Sequence, residues 1–367
     1  MSRSTVWAII GGGNGGQSLA GHLSIMGYKV RLYDVFQATV DAINAQGGII
    51  VDGVVEGFGK PELVTTDIGK AIAGADVVMV VAPATAHKTI AKNCAAHLTD
   101  GQIVIIHPGA TCGALEFRHV LDQLGCTARV AVAETNSLIY ACRSPKPGHA
   151  SILGIKDDLV VATLPACENA RALSVMQEAF PQIVGGKNVI ETSLGNANAI
   201  MHPTPTLLNT SLIESRHDWL YYWEGITPTI GAFTEALDKE RVELGKAFDI
   251  DLISIREWYA KAYGAKADTL SEAVRLNPAY EKIKGQKELR TRYLLEDIPT
   301  GLIPMIELGD MMGLPMERMW LVAKLGQMIL GEDFFNTGRT MANLGLEGLN
   351  REQFEHYLET GEKPAQG

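Results

Sequence analysis

No stretch of the 367-residue chain approaches the ~18 consecutive apolar residues that span a bilayer, so a membrane-crossing helix is not expected. The short apolar run at Val6–Ile10 ends in glycines rather than at a cleavage site, which predicts no export signal. Cysteine is scarce and unpatterned. Cys94, Cys112, Cys126, Cys142 and Cys167 are odd in number and lack C-x-x-C spacing, so neither a disulfide framework nor a zinc site is expected, and a reducing cytoplasm fits best. Positive charge is also in deficit. With 32 basic against 42 acidic residues, a net charge of −10 and no Lys/Arg block, the chain has no footprint for nucleic acid or an anionic membrane surface.

What is present reads as two domains, given a typical ~150 residues per domain and 46% hydrophobic content. Over residues 5–135 short β-rich runs alternate with helical patterns: strands at 6–10, 29–34, 75–82, 101–109 and 128–135, helices at 15–27, 36–46, 85–97 and 113–125. That alternation predicts βαβ units around a parallel sheet. Two further apolar runs, 151–155 and 159–164, separated by "KDD", read as a hairpin completing the sheet, with a helix over 168–180. After about residue 190 helical patterns take over. The expected boundary is therefore near 185, dividing the chain into a dinucleotide-binding domain of residues 1–185 and an all-α domain of residues 186–367.

In the second half, Thr227 and Pro228 suit the N-cap and first turn of a helix carrying Ile230, Phe233, Leu237, Val242 and Phe248. The stripe Met316, Met319, Trp320 and Ala323 reads as a helix that is either core or a dimer face. The polar tail "ETGEKPAQG" reads as frayed.

The loop "IIGGGNGG" offers Gly11, Gly13 and Gly16 as G-x-G-x-x-G, with Asn14 and Gly15 inside it, directly after a strand and opening a helix. The first glycine allows the tight turn, the second lets backbone approach a pyrophosphate, and the third lets helix and strand pack closely. Asp34 stands 18 residues after Gly16 at the end of the next strand, where a carboxylate binds a ribose diol. A 2′-phosphate would be repelled there and no arginine follows directly, so NAD is favoured over NADP. No G-K-[ST] follows the glycines, which excludes a P-loop. Pro83, His107, Pro108 and Gly109 fall where later strands end and are candidates to wall the nicotinamide pocket.

The stretch "NAIMHPTPTLLN" places His202 among apolar residues. From the residues alone, a hydrogen-bonded core histidine and a general acid–base are equally good readings, and His107 is a rival for the second role.

Together the glycine loop, "HPGATCGALEFR" (107–118), "NANAIMHPTPTLLN" (196–209), "YYWEGITPTIG" (221–231) and "TRYLLEDIPTGLIP" (291–304) resemble the opine dehydrogenases, the octopine/nopaline group. Within that group the chain resembles the bacterial N-(1-carboxyethyl)norvaline dehydrogenases. The resemblance implies a Rossmann domain followed by a helical substrate domain, as in glycerol-3-phosphate dehydrogenase. It implies NADH-dependent condensation of a 2-oxoacid such as pyruvate with an amino acid or amine. By motif it makes His202 the catalytic histidine, Asp297 its carboxylate partner, Arg292 the grip on a substrate carboxylate and Thr135 part of the oxoacid subsite. No metal is implied, and a homodimer is expected. The alternative is a hydroxyacid or ketopantoate-type dehydrogenase of the same architecture. Such enzymes use a lysine at the start of the substrate domain, and "SLGNANAIMHP" has none.

Overall fold

A computed structural model describes residues 4–363. The chain forms two compact units: residues up to Ser193 together with those from Glu352 onward, and Leu194–Arg351. The final helix, Arg351–Thr360, thus returns to the first unit, where it buries Phe354, Tyr357 and Leu358. Of the polar tail, residues 364–367 lie outside the described residues.

The first unit is built on an eight-stranded sheet and a smaller four-stranded one. In chain order the strands are β1 (Val6–Ile10), β2 (Lys29–Tyr33), β3 (Ile49–Gly53), β4 (Gly57–Gly59), β5 (Leu63–Thr65), β6 (Val77–Val80), β7 (Ile103–Ile106), β8 (Ala131–Thr135), β9 (Tyr140–Lys146), β10 (His149–Ile155), β11 (Val160–Leu164) and β12 (Val184–Gly185). The large sheet runs β12-β11-β8-β7-β6-β1-β2-β5. Its pairings are parallel except β11 against β8. Every residue of β6 and β7 is buried, as expected of parallel strands covered on both faces, and this is why they read as unbroken apolar runs. β1 pairs with β2 on one side and β6 on the other, so the order reverses at β1. The glycine loop leaves the sheet at that switch point, where such folds take their ligands.

The hairpin expected from runs 151–155 and 159–164 does not form. β10 pairs antiparallel with β9 in the small sheet, ordered β4-β3-β10-β9, while β11 joins the large one beside β8. The turn is at Pro147–Gly148, where Gly148 takes φ +80°, a conformation glycine reaches without steric cost. Pro-Gly outweighs "KDD" as a hairpin signal.

The second unit is helical. Its long helix, Pro228–Ala247, starts as expected, with Pro228 in the first turn and the Thr227 side chain accepting from the Ile230 amide. A buried ion pair, Asp238 with Arg241 at 2.7 Å, ties this helix to its neighbours. Arg241 donates to the Leu194 and Ile253 carbonyls, and Asp238 accepts from the Ile255 amide. Each charge is thereby paired and hydrogen-bonded, the condition under which buried charge is tolerated.

Candidate active site

In the first unit the glycine loop has the form a dinucleotide requires. Gly11 adopts φ +117°, and a Cβ there would lie 2.3 Å from the Val81 carbonyl oxygen. A Cβ on Gly16 would lie 1.7 Å from the Gly11 carbonyl oxygen, so only glycine lets helix and strand approach this closely. Over Gly13 there is nothing within 4 Å, leaving open space where a phosphate can meet the backbone. Helix Asn14–Ile25 starts at Gly13 with no side-chain cap, so its first amides are presented to an anion. Asn14 accepts from the Ser144 amide through its side chain, and Gly15 packs against Val81 and Leu138.

Asp34 follows β2 and is held by the Phe36 amide at 3.0 Å. A Cβ on Gly12 would fall 2.2 Å from its carboxylate, so glycine at that position lets the acid stand against the loop. Pro83, after β6, is exposed, as a pocket wall must be. These residues fit a nicotinamide dinucleotide.

His107, at the end of β7, is fully buried and both ring nitrogens are engaged. Nδ1 lies 2.7 Å from the Thr135 hydroxyl, and Nε2 accepts from the Ile139 amide. The Thr135 hydroxyl donates to the Ser137 carbonyl. With its proton so directed, that hydroxyl accepts from His107, which fixes the neutral Nδ1–H tautomer. Burial, reinforced by the nearby Lys156 ammonium, pushes the His107 pKa down to about 3. It is a clamp rather than a proton carrier. Thr135 is enclosed and hydrogen-bonded on both sides, which orders this strand end.

Immediately before Thr135 on β8, Glu134 is completely buried. It accepts from the Ala114 amide and from the Thr192 and Ser193 hydroxyls, pinning the start of helix Gly113–Gln123. Sequence reasoning passed over it, because its partners lie up to 59 residues away.

In the second unit, helix Asn198–Met201 ends at His202 because Pro203 has no amide to continue the ladder and instead opens helix Pro203–Leu208. The break is held by a relay: Gln286 Nε2 donates to the Thr206 hydroxyl, which lies 3.1 Å from Tyr221 Oη, and the Tyr221 hydroxyl donates to the His202 carbonyl at 2.8 Å. The imidazole is nearly enclosed and its Nδ1 lies 2.7 Å from Asp297 Oδ2. The acid stands at the end of helix Arg292–Leu295, where the chain passes into a π-helical turn, Ile298–Leu302. Such turns recur at functional sites.

The two residues, 95 apart in sequence, therefore meet. The carboxylate selects Nδ1–H and leaves Nε2 as the nitrogen open to a reacting group. Arg292 is exposed, and its guanidinium sits 5.6 Å from the centre of the Tyr293 ring. Tyr293 stacks on His202 at 3.8 Å with planes 5° apart, a contact the sequence reading did not single out although it lies inside "TRYLLED". Tyr222 is buried and stacked on Tyr280 at 4.2 Å, within the aromatic core of this unit. Among the described residues no three His, Cys, Asp or Glu side chains gather to hold a metal.

Known proteins carry the same arrangement of domains. Residues 185–330 match the NAD/NADP octopine/nopaline dehydrogenase alpha-helical domain, and residues 7–114 match the NAD-dependent glycerol-3-phosphate dehydrogenase N-terminus. An opine dehydrogenase of Arthrobacter sp. (strain 1C) is 42% identical over 350 residues, covering 95% of this chain and 97% of its own. The chain belongs to the opine dehydrogenase family. It is accordingly an NAD-dependent oxidoreductase acting on the CH–NH group, by reductive condensation of a 2-oxoacid with an amine and the reverse oxidation. The octopine dehydrogenase of Mizuhopecten yessoensis is 24% identical, covering 91% of this chain and 93% of its own. An octopine dehydrogenase solved with NADH and L-arginine superposes at a TM-score of 0.80, with 22% identity over 99% of this chain and all of that one. The fold expectation, a Rossmann domain with a helical domain, is met.

Proposed function

We propose that this opine dehydrogenase joins pyruvate to the amine of an amino acid, with His202 as general acid–base, Asp297 as its orienting carboxylate and Arg292 as the grip on a substrate carboxylate. The observation that carries the assignment is the His202–Asp297 contact at 2.7 Å, in a pair with side chains only 5% and 6% exposed. The substrates follow from related enzymes: one octopine dehydrogenase was solved with NADH and pyruvate, and others with L-arginine and agmatine.

The bound dinucleotide supplies hydride, so the protein's own task is to bind, orient and move protons. His202 Nε2 takes a proton from the incoming ammonium, freeing the amine to attack the oxo carbon. The resulting imidazolium returns that proton to the carbinolamine oxygen, which leaves as water, and an iminium that keeps its N–H remains. Hydride supplied by the dinucleotide would then complete the secondary amine at the iminium carbon with no further proton. Asp297 offsets the positive charge each time the ring is protonated. Arg292 has no ion-pair partner among the described residues, which leaves its planar fork for a carboxylate.

In the same reading the cofactor is NAD rather than NADP. Gly11, Gly13, Asn14, Gly15 and Gly16 cradle the pyrophosphate, Asp34 holds the ribose diol, and Pro83 walls the pocket. Asp34→Ala should weaken NADH binding about tenfold, the worth of one charge-assisted hydrogen bond, with little effect on kcat. The active form is a homodimer. Its support is helix Glu317–Leu330, which leaves Trp320, Leu321, Leu325, Met328 and Ile329 exposed. Five cysteines, none joined in a disulfide among the described residues, support a cytoplasmic location.

The test is loss of reduced-nicotinamide absorbance with pyruvate, with and without a panel of amino acids and amines. Oxidation requiring both partners is expected. Oxidation with the keto acid alone would point to a hydroxyacid dehydrogenase and remove the reason for these roles.

A further inference from the structure

A hydrogen bond at Nδ1 fixes one atom of the His202 ring but leaves the plane free to pivot about that bond. Tyr293 removes this freedom by lying flat against the ring at 3.8 Å. Tyr221 meets both rings edge-on, at 6.3 Å from His202 and 5.1 Å from Tyr293, so the stack is braced from the side. The Tyr293 ring also carries the Arg292 guanidinium. An aromatic face attracts a cation, and imidazolium and guanidinium therefore draw on the same ring.

We propose that Tyr293 is a positioning residue: its ring holds the imidazole plane of His202 and the guanidinium of Arg292 in one fixed relation, setting the spacing between carboxylate grip and proton-moving nitrogen. This rests on the roles given above to His202 and Arg292. Misplacement of a reacting group by about 1 Å can cost on the order of a hundredfold in rate, so a flat neighbour repays its place.

Two substitutions separate ring from hydroxyl. Tyr293→Phe keeps the flat face, and its kcat should stay within about threefold of the parent. Tyr293→Met keeps length and apolar bulk but not the face. Its kcat should fall about tenfold or more and its KM for the oxoacid should rise, with KM for NADH unchanged.

A second measurement does not depend on turnover: carbethoxylation of His202 by diethyl pyrocarbonate, mapped by peptide mass. It should be faster in the Met variant, where the ring face is uncovered, and unchanged in the Phe variant. Parental kcat and labelling in the Met variant would overturn the proposal. Failure of the Phe variant alongside the Met variant would also overturn it, giving the hydroxyl the role instead. If the Met variant does not fold, the Phe variant decides alone, retention supporting the proposal and loss overturning it. The underlying reading fails separately, through a His202→Ala enzyme that still turns over, and the labelling rates would then still decide whether Tyr293 positions the ring.

Discussion

His107 and His202 are alike in burial and in having a side-chain oxygen 2.7 Å from Nδ1, yet they belong to opposite kinds of site. At His107 that oxygen is a hydroxyl and Nε2 is occupied by the Ile139 amide, so nothing stabilises a second proton. At His202 it is a carboxylate, which favours a positive ring, and Nε2 is the nitrogen to which the proposed mechanism gives the proton transfers. Burial alone does not make a histidine catalytic or inert. The charge of the Nδ1 partner and the freedom of Nε2 decide.

The sharpest way to break this contrast is His202→Ala. Turnover should drop roughly a hundred- to ten-thousand-fold, the usual contribution of general acid–base catalysis, while NADH binding is retained. Near-parental turnover would return the proton chemistry to His107. Asp297→Asn keeps the shape and removes the charge. A smaller loss is expected, at least about tenfold in kcat, because the imidazolium loses its counter-charge and Nδ1–H is no longer enforced. An asparagine variant as active as the parent would make the two histidine sites equivalent in kind.

His107→Asn should act in the opposite sense. Activity per folded molecule should change less than for either variant above, while the unfolding free energy from denaturant titration falls by on the order of 2 kcal/mol as buried hydrogen bonds are lost. The remaining effect is in pH. The folded protein holds His107 at about 3 and the unfolded chain near 6.5, so the unfolded state alone binds the proton between those values. The stability is fully present above about pH 6.5 and is lost progressively as pH falls towards 3. Denaturation midpoints across that window should slope in the parent and be flatter in His107→Asn. Parallel curves would mean that His107 is not the group excluding the proton.

The contrast was only half legible in the sequence. Local signals carried well: the glycine loop, the acid after β2 and the Thr227–Pro228 helix start all depend on neighbours a few residues away. The small sheet was missed because β3 and β4 are short and glycine-punctuated, and β10 was given the wrong partner because Pro147–Gly148 was passed over. His202 and His107 could not be ranked from periodicity, since their deciding partners lie 95 and 28 residues away. Asp297 and Arg292 came from family resemblance, and Tyr293 came from neither route, because stacking is a property of two ring planes that no spacing rule encodes.

The return of the last helix to the first unit changes what an end-truncation means. Deleting Arg351–Thr360 would leave the substrate machinery untouched in sequence and would strip Phe354, Tyr357 and Leu358 from the cofactor unit. Topologically the substrate unit is a cassette spliced into a dinucleotide-binding host, so a graft that exchanges specificity between relatives needs two seams, near residues 193 and 352, rather than one.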